Sequence, residues 1–559
     1  MTEVRIGVFI CHCGKNIGGY VDVPQVVEYA RQLPNVAYAE HNLYTCSEEG
    51  TSSIKKSILE YNLNRVVVAS CTPRTHEPLF RTACEEAGLN KYLFEFANIR
   101  EQVSWVHMNL PQEATEKAKS LVRATVAKAR LLEPLEEVEV EVLPSCLVIG
   151  GGIAGMSATL NLANQGFNVH LVEKRAELGG TLLDLHKLFP TNKEARDLIN
   201  PLIHELKEHD RIKTYLRTKV KEVAGFIGNF DVTLDHGDRE SKLNVGTIIV
   251  AIGATEFKPI GQYSYGEMTG VLTQLELEKQ MKEGRVDGQN IVMINCVGAR
   301  VAERAYCSRF CCLTAIKNAA LIKENNPAAK VWILHRDLMA YGVDFEDYYR
   351  KAMEAGVRFI RYSLTSPLEV IGNGRVELVK VYHQLIQKEI ELPCDTVVLT
   401  TPLIPHVDNE ELSKMLKVPL GQEGFFLEAH LKLQPVEFAT DGIYICGSAR
   451  WPVEVTEAIF QGYASASKAA IPMIRGYVRP EAITASVNKD ACAGCGICVT
   501  LCPYSAIAIN TENGRRVSNV ISALCKGCGT CGAACPSGAI SMNHFTDEQL
   551  FAQIEALVA

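Results

Sequence analysis

Residues 145–173 read SCLVIGGGIAGMSATLNLANQGFNVHLVE, and this stretch decides the fold of the middle of the chain. An apolar run over 145–149 predicts a buried strand. Gly150, Gly152 and Gly155 follow as G-x-G-x-x-G, with Ile153 and Ala154 between the last two. A helix is predicted over 156–165, then a second strand over 168–172 that closes on Glu173. Gly150 permits the tight turn, Gly152 lets a pyrophosphate approach the backbone, and Gly155 lets helix and strand pack. The phosphates then sit on the helix N-terminus, and Glu173 accepts from a ribose hydroxyl. An acid at that place disfavours a 2′-phosphate.

Segments on either side sharpen the dinucleotide. Glu173 and Lys174, followed by Leu178-Gly179-Gly180-Thr181, resemble the extended FAD fingerprint of flavoproteins that bind two dinucleotides. Thr247 to Ala254, with Ala251 and Gly253, resembles their second FAD segment. Asp441 to Gly447 resembles the third, except that Ser448 stands where an Asp is usual. Val220 joins the expected FAD contacts. Glu454, Thr456, Ala458, Gln461 and Gly462 would open a helix aimed at the isoalloxazine, with Thr456 and Gln461 taken as cofactor-binding. No motif singles out a catalytic acid or base, and Glu454 is the nearest candidate.

In thioredoxin-reductase-like flavoproteins a second βαβ unit between the FAD segments binds the nicotinamide cofactor. Such a unit is predicted here, with strands over 290–295 and 330–335 and a helix over 313–323. Its glycine turn is missing. In that place stand Cys296, Cys307, Cys311 and Cys312, with Arg300, Arg304 and Arg309 among them. Thiolates can hold iron, and the arginines would offset the charge of a thiolate-ligated cluster; a set of buried cysteines or a redox-active pair is the alternative. His335-Arg336 leaves a residual nicotinamide site open.

Towards the C-terminus Cys492, Cys495, Cys498 and Cys502 stand as C-x2-C-x2-C-x3-C before Pro503. The pattern returns as Cys525, Cys528, Cys531 and Cys535 before Pro536. This duplication resembles the bacterial two-cluster ferredoxin. The resemblance implies two [4Fe-4S] clusters, each taking three cysteines from one repeat and the fourth from the other. One would use Cys492, Cys495, Cys498 and Cys535, the other Cys525, Cys528, Cys531 and Cys502.

At the other end, strands over 4–10, 36–44 and 65–70 alternate with helices over 23–32, 48–60 and 77–87. A charged helix near 111–132 closes this α/β layer. Cys11, Cys46 and Cys71 each follow the carboxyl end of a strand, where ligands bind in open α/β sheets, and Cys13 lies two residues beyond Cys11. Cys11 or Cys13, with Cys46 and Cys71, is a candidate further cluster site; free thiols at an interface are the alternative. Cys84, Cys146, Cys394 and Cys446 read as small buried hydrophobes.

Composition narrows the class. The chain has 559 residues, 20 cysteines and a net charge of −8. That charge argues against nucleic acid or anionic lipid as a partner. No apolar run is long enough for a membrane helix, and the first residues lack a signal-peptide core, so a cytoplasmic setting is expected. Cysteines in these spacings, without an export signal, point to metal before disulfides. The expected fold is α/β, with five segments. These are a cysteine-containing Rossmann-like module over 1–135, a first FAD part over 140–260, and a modified nicotinamide-type βαβ domain over 261–395. A second FAD part covers 396–480, and an α+β ferredoxin domain 481–559.

Taken whole, the chain resembles the family of A-type heterodisulfide reductase subunits. The carrying motifs are Cys11-His-Cys-Gly14, Ala69-Ser-Cys71-Thr-Pro-Arg-Thr-His76-Glu77 and Tyr306-Cys-Ser-Arg-Phe-Cys-Cys312, beside the FAD fingerprint and the double ferredoxin. Many methanogen members carry a further ferredoxin insert in the flavin domain; none is found here. The resemblance implies an iron–sulfur flavoprotein oxidoreductase that transfers electrons within a larger complex, with flavin-based bifurcation between a two-electron donor, ferredoxin and a disulfide or similar acceptor. Implied partners are heterodisulfide-reductase B- and C-like subunits, ferredoxin, an electron-input hydrogenase, formate dehydrogenase or NADH-oxidising protein, and a second copy of the chain. Two other readings remain: a self-contained NAD(P)H-dependent oxidoreductase resembling the glutamate synthase small subunit, and a non-bifurcating electron wire.

Overall fold

Four parallel strands, Ile6–Cys11, Val36–Asn42, Arg65–Ser70 and Phe94–Asn98, build the N-terminal sheet in the spatial order second, first, third, fourth. The chain leaves the first strand in one direction and returns for the third in the other. The switch point therefore lies between Ile6–Cys11 and Arg65–Ser70, and a crevice opens there at the carboxyl edge. Side chains of the first strand are buried on both faces, as a sheet covered by helices requires. The Val23–Arg31 helix packs Val23, Val26, Val27 and Ala30 inward, at helical spacing, and Asp22 caps it through the Gln25 amide. Ser47 caps the Glu48–Glu60 helix in the same way, which fixes the turn that carries Cys46.

The computed structural model describes residues 3–286, 288–366 and 368–559; Met1 and Thr2, where the first expected segment begins, lie outside them. The chain divides into two units, Met1–Glu139 with Arg479–Ala559, and Val140–Val478. The N-terminal layer and the cysteine-rich tail thus share one unit. Their junction is polar and specific. Lys128 and Glu95 are ion-paired at 2.9 Å, His544 reaches the same carboxylate at 3.0 Å, and the Lys128 ammonium lies 3.7 Å from the Phe545 ring centre. Nearby, Arg81 pairs with Glu481, and Tyr92 accepts from the Ala482 amide.

In the tail, Ala485–Val487 pairs with Ile540–Met542 and Ile507–Glu512 with Arg515–Val520, both antiparallel. Gly494 and Gly527 are equivalent in the two repeats. Each has positive φ, and a Cβ would lie 2.3 and 2.4 Å from the Arg516 and Ile483 carbonyl oxygens respectively. Neither position has room for a side chain.

The second unit contains two parallel sheets of matching topology. The first orders Ile443–Ile445, Thr247–Val250, Ser145–Ile149, Asn168–Val172 and Ile212–Tyr215. The second orders Val271–Thr273, Thr396–Leu399, Asn290–Ile294, Lys330–His335 and Arg358–Arg361. Each half also carries a three-stranded antiparallel layer, over 219–245 and 369–393 respectively. Val220 lies in the first of these layers, paired with Leu234.

One expected boundary needs correction. A division between 395 and 396 would cut the second sheet, because Thr396–Leu399 pairs with both Val271–Thr273 and Asn290–Ile294. The change of halves occurs at the Ala254–Glu256 and Leu403–Pro405 ribbon. The apolar TVVL run at 396–399 reads equally well as a strand of either sheet, so pattern alone could not place it.

A buried ion pair braces the two halves. Lys317 and Glu278 are 2% and 1% exposed and paired; Lys317 also donates to the Lys187 carbonyl, and Glu278 accepts from the His186 amide. Removing one partner strands the other charge, which costs about 3–5 kcal/mol, whereas apolar replacement of both is often neutral. Glu278→Leu should therefore lower the thermal unfolding midpoint by several degrees. The Lys317→Met/Glu278→Leu double variant should regain most of that loss in the same melting experiment.

Candidate flavin and iron–sulfur sites

The turn after Ser145–Ile149 is built for a large anion. Gly150 has a φ of 111°, and a Cβ there would lie 2.4 Å from the Ala251 oxygen; at Gly155 it would lie 1.9 Å from the Gly150 oxygen. Both glycines are fixed by packing. Gly152 differs: a Cβ there meets nothing nearer than the Gly180 Cα at 4.0 Å, so it faces open space at the start of the Ile153–Asn164 helix. No side chain caps that helix, which leaves its first amides free for phosphate oxygens. Glu173 is buried, accepts from the Gly151 and Arg175 amides at 2.7 Å each, and keeps lone pairs for a ribose. Lys174 pairs with Asp408 at 2.8 Å and touches His406, a residue with no motif around it in the sequence.

Ala251, at the end of Thr247–Val250, closes the floor of the turn. Gly447, φ 67°, lies against Ala154, and Gly462 packs on the Ala154 carbonyl. The Val455–Arg475 helix therefore begins beside the cradle. Gln461 is buried and accepts from the Gly447 amide at 3.0 Å. Thr456 is exposed. Glu454 has a structural task, since its carboxylate caps the helix through the Thr456 and Glu457 amides at 2.7 and 2.6 Å. These residues fit a flavin dinucleotide.

In the second half, Asn295 follows Asn290–Ile294 as Gly150 follows Ser145–Ile149, and Cys296 comes next in the turn. Cys311 and Cys312 open the Cys311–Asn325 helix, whose first turn has no side-chain cap. The four thiols share one neighbourhood. Burial, then Cys312, Cys307 and Cys296, pushes the Cys311 thiol well above its usual range, and burial pushes Cys312 up to about 12. For Cys311 and Cys312 burial thus favours the protonated thiol, and a bound metal would displace the proton. Asn295, fully buried beside Cys296, has no partner for either side-chain polar atom. A buried amide left this way costs about 1–3 kcal/mol per group, which thiolate or sulfide acceptors would relieve. The block fits an iron–sulfur cluster.

The arginines divide. Arg300 lies beside Cys296 and pairs with Asp337 at 2.8 Å. The Arg309 amide donates to the Cys307 sulfur at 3.3 Å. Arg304 stacks on Phe257 and donates to the Gly298 carbonyl, so it braces the loop. Arg336 donates both terminal nitrogens to the Ala299 and Arg300 carbonyls, which commits the group expected to meet a nicotinamide phosphate.

At the N-terminal switch point all four candidate thiols meet. The Cys13 and Thr45 amides donate to the Cys11 sulfur at 3.2 and 3.4 Å, and Arg100 reaches the Cys13 sulfur at 3.7 Å. Burial raises the Cys46 thiol, and Cys11, Cys71 and Cys13 add to it. The Thr45 hydroxyl is fully buried and unpartnered. Thr45 and Arg100 lacked any local signal in the sequence.

In the tail, Cys502, Cys525, Cys528 and Cys531 line one cavity of about 310 Å³, its open mouth included. That is one of the two crossed sets. In the other, Cys492 and Cys498 both contact the Ser518 hydroxyl, at 3.8 and 3.0 Å, and Cys535 packs beside Cys492; Cys495 is exposed. The Ser518 and Gly494 amides hold the Cys492 thiol below its usual range. Among the described residues, no three Cys, His, Asp or Glu side chains converge on a point as a single metal ion needs. Thiols around a cavity suit a cluster instead. Cys84, Cys146, Cys394 and Cys446 are buried, as expected.

Comparison with known proteins bears on the cofactors and the family. Residues 144–462 match the family model "Pyridine nucleotide-disulphide oxidoreductase", and 485–542 match "4Fe-4S dicluster domain". The matches imply FAD and [4Fe-4S] clusters. Over 650 aligned positions the chain is 41% identical to the A-type subunit of the H2:CoB-CoM heterodisulfide,ferredoxin reductase of Methanothermobacter thermautotrophicus, covering 100% of this chain and 98% of that protein. It is 40% identical to the first of two A-type iron-sulfur subunits of the CoB–CoM heterodisulfide reductase of Methanopyrus kandleri, with the same coverage. It is 35% identical to the A-type subunit of the H2/formate:CoB-CoM heterodisulfide,ferredoxin reductase of Methanococcus maripaludis, covering 100% of this chain and 99% of that one. These alignments are longer than the 559 residues here, so the relatives carry residues with no counterpart in this chain.

Two measurements test the sites. Gly152→Val should abolish FAD binding with circular dichroism unchanged, because the added atoms enter ligand space and leave the backbone unstrained. Retained flavin in that variant would misplace the cradle. Anaerobic reconstitution should reach about 16 irons per chain, with about four lost in Cys296→Ser/Cys307→Ser and about four in Cys46→Ser/Cys71→Ser.

Proposed function

The chain belongs to the family of A-type heterodisulfide reductase subunits, and from that premise we propose that it divides electron pairs between ferredoxin and a disulfide-reducing partner. At the coarser level it is an oxidoreductase component that transfers electrons with FAD and iron–sulfur clusters. FAD takes up two electrons at once and clusters pass one at a time, so a chain carrying both can convert between the two.

The observation that carries this reading is the substitution at the second turn. Where a nicotinamide pyrophosphate would need glycines, four thiols gather. In the proposal Cys296, Cys307, Cys311 and Cys312 hold one cluster beside the flavin half, and Cys11, Cys13, Cys46 and Cys71 supply a further one in the N-terminal layer. The tail holds two, through Cys492, Cys495, Cys498 and Cys535, and through Cys525, Cys528, Cys531 and Cys502. FAD is held by Gly150, Gly152, Ile153, Ala154, Gly155, Glu173, Lys174, Gly180, Thr181, Val220, Ala251, Gly253, Gly447, Thr456 and Gln461.

The electron-input partner supplies the pair. A hydrogenase or formate dehydrogenase is favoured, in keeping with the names of the relatives, over an NADH-oxidising protein. The outputs are ferredoxin and B- and C-like heterodisulfide reductase subunits, within a complex that contains two copies of the chain. Each pair entering sends one electron to ferredoxin at low potential and one to the higher-potential acceptor. Among the described residues no helix is long and apolar enough to cross a membrane, and we place the complex in the cytoplasm.

The first experiment is anaerobic flavin bleaching of the isolated chain by NADH and by NADPH. Bleaching should be slow and should not saturate, because the cysteine block occupies the pocket and adds negative charge beside an anionic ligand. Rapid, saturable bleaching would overturn partner feeding in favour of a self-contained NAD(P)H oxidoreductase. With the native complex, ferredoxin reduction should stop when the disulfide acceptor is omitted. Uncoupled reduction would reduce the chain to a simple wire.

A further inference from the structure

A short polar chain connects the cysteine block to the flavin cradle. Arg309 is a non-glycine residue at φ 66°, and its backbone amide donates to the Cys307 sulfur at 3.3 Å. Its guanidinium reaches away, donating to the Pro452 carbonyl at 3.1 Å and to both Glu457 oxygens at 3.3 and 3.1 Å. Glu457 accepts in turn from Gln461 at 3.1 Å, and Gln461 accepts from the Gly447 amide at 3.0 Å. Gly447 touches Ala154 of the dinucleotide turn. Four residues thus join a thiol of the block to the backbone that borders the cradle.

We propose that Arg309 and Glu457 form a charge pair that sets the reduction potentials of the cluster and the flavin together, with Arg309 a positioning residue shared by both sites. The proposal rests on reading Cys296, Cys307, Cys311 and Cys312 as cluster ligands. A reduced centre is more negative than an oxidised one, so a cation nearby favours reduction and an anion opposes it. Arg309 joins the block through its backbone amide and the border of the cradle through its guanidinium and Glu457. Glu457 moderates it, and also orients Gln461 at the cradle.

The stability worth of this pair is small. Its side chains are 40% and 36% exposed, and such pairs contribute little to folding. The αL backbone of Arg309 is a costlier conformation for a non-glycine residue, held although a bare loop would relax out of it. A plain structural tie and a charge pair make different predictions. Removing either partner of a tie loosens the same contact and moves the flavin in one direction. Removing a cation and removing an anion shift potentials in opposite directions.

The test is a spectroelectrochemical titration of FAD, with EPR-monitored titration of the clusters, on the full chain loaded with cofactors. Arg309→Gln should lower the flavin potential and that of one cluster. Glu457→Gln should raise both, and Arg309→Lys should keep most of the native values. Shifts of the same sign in the two neutral variants, or no shift in either, overturn the proposal. Iron in native and Cys307→Ser protein is counted first. Equal counts would remove the cluster from the block, while the sign of the flavin shifts would still decide whether Arg309 and Glu457 act as a charge pair. Should one variant lose FAD, the sign of the shift in the other decides.

Discussion

Gathering thiolates inside a protein is the constraint on which the other features rest. A buried charge needs compensation, and four sulfurs together need more of it than one. The chain solves this in two ways. At the two sheet edges it adds arginine to backbone amides, with Arg100 at Cys13 and Arg300 at Cys296 beside the Thr45 amide at Cys11 and the Arg309 amide at Cys307. In the tail it uses backbone amides: Ser518 to Cys492, Ala506 to Cys502 and Ala485 to Cys525. The difference follows from size. A tail of two short ribbons has little interior in which to bury arginine stems, so N–H groups in and beside its strands meet sulfur instead.

Much of this was legible in the sequence, for identifiable reasons. Ser145–Ile149, Asn168–Val172, Arg65–Ser70 and Lys330–His335 lie in parallel sheets, and such strands appear as apolar runs bounded by turns. The crossed cysteine sets are what the resemblance to a two-cluster ferredoxin implies. Phe94–Asn98 was missed because FEFAN is too short and too polar to stand out, and the ribbons over 219–245 and 369–393 alternate too irregularly. Periodicity also could not choose between Cys11 and Cys13. Both approach Cys46 in space, where the sequence offered a pair two residues apart.

The site residues that escaped share one property: each meets its partner far along the chain. Arg100 reaches Cys13, Glu457 meets Arg309, and His406 meets Lys174. No local spacing encodes such pairs. Asn295 is a different case. As the last residue of its run before Cys296, it read as the end of a strand, and its importance lies in an absence of partners that only three dimensions reveal.

The two halves of the second unit show what a shared topology does and does not decide. Both present the carboxyl edge of a central strand to the start of a helix whose first amides are uncapped. That geometry favours any anion, so it suits a pyrophosphate or a thiolate-bound cluster alike. The choice falls to the turn. Glycines at 150, 152 and 155 keep the first edge open and bring backbone to the ligand. Cys296 enters the second turn at φ 63°, a conformation glycine would adopt without strain, and it brings sulfur to that edge. In the proposed reading a two-electron site and a one-electron site occupy matching edges in one unit, and the Arg309–Glu457 pair ties the cysteine block to the Val455–Arg475 helix.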